Sequence, residues 1–393
     1  MQRCSIRNWN GTDGSVAQPS ADIVVYMPSV MRELNTVDIY CQVIDNYGDA
    51  GVCWRLARSL AEHGLAVTLW IDDLVRLAAL RPALQLDLST QQSDRFTVRK
   101  WYAEMAPHQP ADLVIEAFGC RMPAAQLTAM AAMSNPSVWI NLEYLSAESW
   151  VDEHHGLPSP HPSLPLTRYF FFPGFDLRSG GLIREQHLLA ERHAFDATAR
   201  DAFLARLGIA LEPAEVLLSV FCYPSAPLGE LLKALHDGPP VLCVFPGGLP
   251  EGCEVLAAGA VRVQSLPFLE PDDYDRLLWS CDLNFVRGED SAVRAQWAGQ
   301  PFIWQLYEQA EGAHHVKQEA FLRRYLATFD DDLAALLAAA WHRWNGKTQS
   351  ASDWPALVSA LPRCLVHAGA WAGQLGNQSD LASRLLGFAR KIR

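Results

Sequence analysis

Short apolar, β-branched runs alternate with longer runs in which apolar residues recur every three to four positions, and this alternation occurs twice along the chain. In the first half, residues 38–44, 66–71, 112–118, 137–145 and 168–175 read as strands, with helices over 52–63 and 123–133. In the second half, residues 215–223, 240–245, 261–266, 283–286 and 301–306 read as strands, with helices over 228–237, 272–280 and 291–298. Strand–helix alternation places helices on both faces of a parallel sheet. Two such sets in series predict an α/β protein with two Rossmann-like, doubly wound domains facing each other across a cleft. The expected division is a disordered extension over 1–35, one domain over 36–185 completed by a C-terminal helix at about 372–393, and a second domain over 186–371. The proline- and histidine-containing stretch 152–165 reads as a loop.

Composition narrows the partners. Among 393 residues the formal net charge is −12, which argues against a broad basic face for nucleic acid or anionic membrane. No run approaches the ~20 apolar residues of a membrane helix, and the polar start lacks the apolar core of a signal peptide, so a cytoplasmic location is expected. The nine cysteines form no CxxC pair and fall largely within predicted elements, as expected for buried, reduced thiols.

The chemistry concentrates at two turns. Val43-Ile44-Asp45-Asn46-Tyr47-Gly48-Asp49-Ala50-Gly51-Val52 lies where the first strand hands over to a helix. In an open α/β sheet, ligands bind at the carboxyl ends of the strands. Gly48 and Gly51 allow close backbone approach, whereas Asp45 and Asp49 together exceed what a turn needs. The second turn, Arg287-Gly288-Glu289-Asp290-Ser291, leads into another helix. A helix N-terminus favours phosphate, Arg287 adds a planar charged fork, and Ser291 adds a hydroxyl. Glu289 is unexpected for anion binding alone; it can accept sugar hydroxyls or hold Arg287. The alternative is that Asp290 or Ser291 only caps the helix. Tyr223 and Phe268 end strands near this turn, where an aromatic ring can stack on a nucleobase or simply pack.

Other clusters read blandly. Asp272 and Asp273 suit a helix cap, as do Asp330–Asp332. His154, His155, His314 and His315 suit solvated loops, and Ser179-Gly180-Gly181 suits a tight turn more than a phosphate nest. Glu143 and Tyr144 are candidates for the cleft wall. No metal-binding DxD motif is evident.

Several long motifs in order, VIDNYGDAGVCWRLAR, NLEYLSAE, SGGLIRE, the LPF preceding DDYDRLL, and RGEDSAVRAQWAGQPFIW, resemble the bacterial protein-arginine rhamnosyltransferases that modify elongation factor P, from about Val37 to Arg393. The resemblance implies a GT-B glycosyltransferase fold. The donor, dTDP-β-L-rhamnose, would bind the second domain and the acceptor the first. It implies inverting transfer to an arginine of elongation factor P without a cofactor or metal. Asp49 would be the general base, Asp45 would help hold the guanidinium, and Glu289 would be the third acid. Tyr223 and Phe268 would flank thymine, and Arg287, Asp290 and Ser291 would hold the diphosphate and ribose. Asn46, Gly48 and Gly288 would approach the donor through the two turns. The extension to about residue 35 has no counterpart in the family pattern, and Leu269-Glu270-Pro271 replaces a polar residue that often helps hold the base.

The residue chemistry agrees with a guanidinium acceptor, because a delocalised cation with a pKa above about 12 is a poor nucleophile until carboxylates orient and deprotonate it. The competing expectations are a GT-B enzyme with a different sugar donor or with a saccharide or lipid acceptor, a nicotinamide-dependent oxidoreductase, and a non-catalytic sensor. The oxidoreductase would need GxGxxG after the first strand, which this turn lacks.

Overall fold

The computed structural model describes residues 33–44, 47–250, 258–350 and 352–393. The expected extension over 1–35 lies almost wholly outside them, as do Asp45 and Asn46. From Glu33 onward the chain is one compact unit.

The first sheet holds β1 (Thr36–Cys41), β2 (Ala66–Ile71), β3 (Thr90–Ser93), β4 (Phe96–Lys100), β5 (Leu113–Ala117), β6 (Val138–Leu142), β7 (Pro158–Pro160) and β8 (Thr167–Phe171), in the order β3-β4-β2-β1-β5-β6-β8-β7. Its central strands run parallel, and the two edge strands pair antiparallel. The second sheet holds β9 (Val216–Val220), β10 (Val241–Pro246), β11 (Val261–Leu266), β12 (Leu283–Arg287) and β13 (Phe302–Gln305), all parallel, in the order β11-β10-β9-β12-β13. Each order reverses direction once, between β1 and β5 and between β9 and β12. Those reversals are the crevices where a doubly wound sheet binds ligands. Both predicted turns sit there: Tyr47–Asp49 follow β1, and Gly288–Ser291 follow β12.

The central strands are buried on both faces, and mostly apolar, because helices cover both. On β1, Val37, Ile39 and Cys41 join the main core, whereas Tyr40 joins a second cluster with Trp70, Trp101 and Trp139. Asp38 points into that second cluster and is satisfied there by Trp70 Nε1 at 2.9 Å and His108 Nε2 at 3.1 Å. After a long helix, Trp354–Gly376, the last helix, Leu381–Ile392, returns to the first sheet. Its Ser383 meets His63 at 3.3 Å, and Arg393 pairs with Asp112 at 2.6 Å.

Several expectations need correction. Stretch 152–165 is not one loop. It contains part of a short helix, Val151–His154, and the edge strand β7, whose prolines are tolerated because an edge needs fewer N–H donors. The β3–β4 hairpin and the helix Leu74–Leu80 were not anticipated; these are brief elements with weak periodicity. The strand expected over 137–145 stops at Leu142, because Leu145 turns out of the sheet to donate its N–H to Glu289 at 2.8 Å. Both cleft helices start earlier than predicted, as Gly48–Glu62 and Gly288–Ala298, so Asp49 and Glu289 stand in first helical turns rather than in loops.

Candidate active site

The amino ends of Gly48–Glu62 and Gly288–Ala298 approach one another across the cleft. A Cβ on Gly51 would lie 3.1 Å from Asp290 Oδ2, tighter than ordinary contact, so a side chain there would force the Asp290 carboxylate or the helices to give way slightly. Behind this contact lies a buried charge lattice. Arg55 reaches Asp290 at 2.9 Å, Asp275 at 3.1 Å and Glu185 at 3.1 Å. Arg294 reaches Glu185 at 2.7 Å and Asp275 at 2.6 Å. Burial pushes Glu185 up, but Arg294 and Arg55 outweigh it and hold the carboxyl well below the usual range. For Asp290 burial wins over Arg55 and Arg294, and its carboxyl is raised. The lattice joins the first lobe, through Arg55, to the second.

Asp272 and Asp273 do not cap their helix. Glu270 occupies the capping position, Asp272 pairs with Arg58 at 2.6 Å, and Asp273 pairs with Arg206 at 2.8 Å. Asp330 does cap, accepting the Leu333 N–H at 3.1 Å. The Ser179–Gly181 segment is a turn directed at the C-terminal helix, where Arg384 takes the Ser179 carbonyl at 2.7 Å.

Two compartments flank the helix contact, and Gly48 and Gly288 line both. The first is an aromatic slot of about 60 Å³ lined by Tyr47, Phe221, Tyr223, Phe268, Tyr274 and Arg287, with Asp290 and Ser291 at its helix end. Tyr47 and Phe268 pack with ring centroids 4.8 Å apart. The Arg287 guanidinium lies 4.1 Å from the Phe221 ring centre and 5.0 Å from that of Tyr223, and it donates to the Cys222 carbonyl at 2.9 Å. Ser291 donates its hydroxyl to the Arg287 carbonyl rather than capping the helix. Burial drives the Tyr274 phenol strongly upward, so it stays protonated and can donate a hydrogen bond.

The second compartment is a cavity of about 510 Å³ lined by Asp49, Glu289, Tyr144, Trp304, Lys317 and His314 among others. Asp49 is 2% exposed, and its Oδ2 accepts the Ile44 N–H at 2.8 Å, which fixes the carboxylate relative to the end of β1. Glu289 Oε1 pairs with Lys317 at 2.6 Å, while Oε2 accepts from Leu145. Burial raises the Glu289 carboxyl; Lys317 opposes the shift and Asp49 adds to it.

The predicted residues thus divide cleanly. Tyr223, Phe268, Arg287, Asp290 and Ser291 line the slot, Asp49 and Glu289 line the cavity, and Gly48 and Gly288 line both. Tyr144 faces the cavity, but Glu143 does not line it and bonds to Asn141. His314 is a correction: it is buried in the first turn of Ala313–Tyr325 and forms part of the cavity wall. Sequence reasoning missed Tyr47, Phe221 and Arg55, although each lies inside or beside a motif already singled out. It also missed Lys317, which carries no motif of its own.

A sequence model of the family described as Elongation-Factor P (EF-P) rhamnosyltransferase EarP matches residues 37–390. The chain is 48% identical to the protein-arginine rhamnosyltransferase of Pseudomonas putida KT2440 over 372 residues, covering 90% of this chain and 98% of that one. It is 47% identical to the enzyme of the same name from Pseudomonas aeruginosa PAO1 over 368 residues, covering 89% and 98%. A solved structure described as the basis for EarP-mediated arginine glycosylation of translation elongation factor EF-P superposes with a TM-score of 0.62 at 36% identity, covering 91% of this chain and 99% of that one. A UGT transferase from Siraitia grosvenorii in complex with UDP shares the fold alone, with a TM-score of 0.50 at 10% identity. The architecture is that of a GT-B glycosyltransferase, and the chain belongs to the EarP family of protein-arginine rhamnosyltransferases.

Proposed function

We propose that this enzyme transfers rhamnose from dTDP-β-L-rhamnose to an arginine side chain of translation elongation factor P, with inversion at the anomeric carbon and Asp49 as general base. The observation that carries this reading is the paired compartment. A carboxylate-lined cavity able to take a guanidinium adjoins an aromatic and cationic slot suited to a nucleoside diphosphate, and Gly48 and Gly288 line both.

The chemistry follows from that arrangement. A guanidinium entering the cavity meets Asp49 and Glu289, both acceptors when ionised. Their negative charge favours a cation over a neutral sugar hydroxyl. As a guanidinium nitrogen bonds to the anomeric carbon, its proton passes to Asp49. The bond between that carbon and the diphosphate oxygen breaks on the opposite face, and the diphosphate leaves with the electron pair. Arg287 and the free N–H groups at the start of Gly288–Ala298 stabilise its growing charge. Asp45 and Asn46, outside the described residues, retain their assignments to the acceptor and donor sides.

The test is direct. The enzyme is incubated with elongation factor P and dTDP-β-L-rhamnose, the factor is weighed by mass spectrometry, and the new linkage is read by NMR. The expected product carries one deoxyhexosyl unit on one arginine in the α configuration. No mass increase, or equal transfer from unrelated nucleotide sugars, would defeat the proposal; a β linkage would defeat its stereochemistry.

A further inference from the structure

We propose that Lys317 is a positioning residue for transfer, its ammonium holding the Glu289 carboxylate in place as an acceptor facing the incoming guanidinium. The inference rests on the reading of Glu289 as a member of the transfer site.

Glu289 is gripped from two directions. Leu145, just beyond β6, donates its backbone N–H to Oε2 at 2.8 Å. Lys317, on the helix Ala313–Tyr325, brings Nζ to 2.6 Å from Oε1. The ammonium is itself confined, 5.8 Å from the Tyr144 ring centre and 6.0 Å from that of Trp304. With one contact on each oxygen, the carboxylate cannot rotate freely, yet each oxygen keeps a further lone pair for a ligand in the cavity.

The groups that face Glu289 make the cation necessary. Asp49, Glu308 and His314 line the same cavity, together with the phenols of Tyr144 and Tyr307. Burial and the Asp49 charge both push the Glu289 carboxyl toward its protonated form, and the Lys317 ammonium is the main group opposing them. A protonated Glu289 would present an O–H to a guanidinium that can only donate. Loss of the ammonium should therefore disable Glu289 at pH values where the native enzyme works.

A brace that merely joins the helix to the rest of the lobe would affect stability without changing the titration of turnover. The test is the pH profile of kcat/KM for elongation factor P at saturating donor, measured for K317M, K317R, E289Q and the K317M/E289Q pair. For K317M, a loss of roughly ten- to hundredfold near neutral pH is expected, as for a misplaced catalytic group. Its acid limb should move to higher pH. K317R should keep the limb near its native position, and K317M should add little in the E289Q background. Donor-induced thermal stabilisation verifies that each variant folds; if K317M does not fold, K317Q carries the same expectations. An unmoved acid limb, or an equal Lys317 effect with and without Glu289, overturns the proposal. Native turnover by E289Q would instead remove the underlying reading of Glu289, and the inference with it.

Discussion

The two compartments of the cleft share Gly48 and Gly288 but are built on opposite plans. The aromatic slot encloses about 60 Å³ and is filled by its own walls: Tyr47 rests on Phe268, and Arg287 rests on Phe221. The rings leave little free space between them, so a nucleoside diphosphate seated there would displace part of those walls. The acid-lined cavity holds about 510 Å³ open, with Glu289 tied by Lys317 and Leu145 and Asp49 tied by Ile44. The contrast follows from the energies involved. An aromatic contact is worth about 0.5–1.5 kcal/mol beyond area burial and can be exchanged for a base. Removing one partner of a buried ion pair costs about 3–5 kcal/mol. Glu289, which must act at fixed geometry, is braced by the costly kind of interaction, and the aromatic walls of the slot, which must yield to a ligand, are held by the cheap kind.

If the compartments work separately, Asp49→Asn should lower kcat by ~10²–10⁴-fold, the usual contribution of a positioned general base. Donor affinity, read by calorimetry, should stay at the native value. A parallel loss of donor binding would mean that the acid cavity helps form the slot.

The lattice behind both compartments offers the next test. Arg55→Met leaves Asp275, Asp290 and Glu185 short of a partner in a buried setting. Denaturant unfolding should show a loss of about 3–5 kcal/mol. A loss below about 1 kcal/mol would mean that water reaches the lattice and that the lobes are held mainly by apolar packing.

Phe268→Ala should weaken donor binding by about 1–3 kcal/mol, the range for one base–aromatic stack, and leave kcat at saturating donor almost unchanged. Tighter donor binding would show that the ring's main effect is to block the slot rather than to stack on the ligand.

Much of this organisation could be read in the residues before any coordinates. The two strand sets were apparent because parallel strands covered on both faces are largely apolar runs, unbroken in β10 and interrupted only by Asp38 in β1 and Glu116 in β5. The site turns stood out because Asp49 and Glu289 exceed local structural need. What stayed hidden depended on contacts between distant parts of the chain. Lys317 has no distinguishing neighbours in sequence, and only the approach of its helix to Gly288–Ala298 makes it a partner for Glu289. Asp272 and Asp273 resembled caps because capping is a local rule, whereas their partners Arg58 and Arg206 lie far away in the chain. The starts of both cleft helices were set too late because glycine lowers helix propensity. At Gly51 the absence of a side chain lets the helix start lie against Asp290.

The weakest expected effect separates the two kinds of charge that join the lobes. Arg58 and Asp272 also meet across the cleft, at 2.6 Å, but their side chains are 26% and 46% exposed. Solvent screens such a pair, and its usual worth is about 0–1 kcal/mol. Asp272→Asn should therefore lower unfolding stability by less than about 1 kcal/mol at low salt. Near 1 M salt, where the screening length falls to about 3 Å, most of that loss should disappear. The Arg55→Met loss should largely persist under the same conditions, because the arginines of the lattice are 1% exposed and little screened. If both losses fade together with salt, the lattice is open to solvent and the distinction between braced and yielding walls fails. If neither fades, the Arg58–Asp272 contact acts by holding Arg58 over Trp54, whose ring centre lies 5.5 Å from the guanidinium, rather than through the screened ion pair itself.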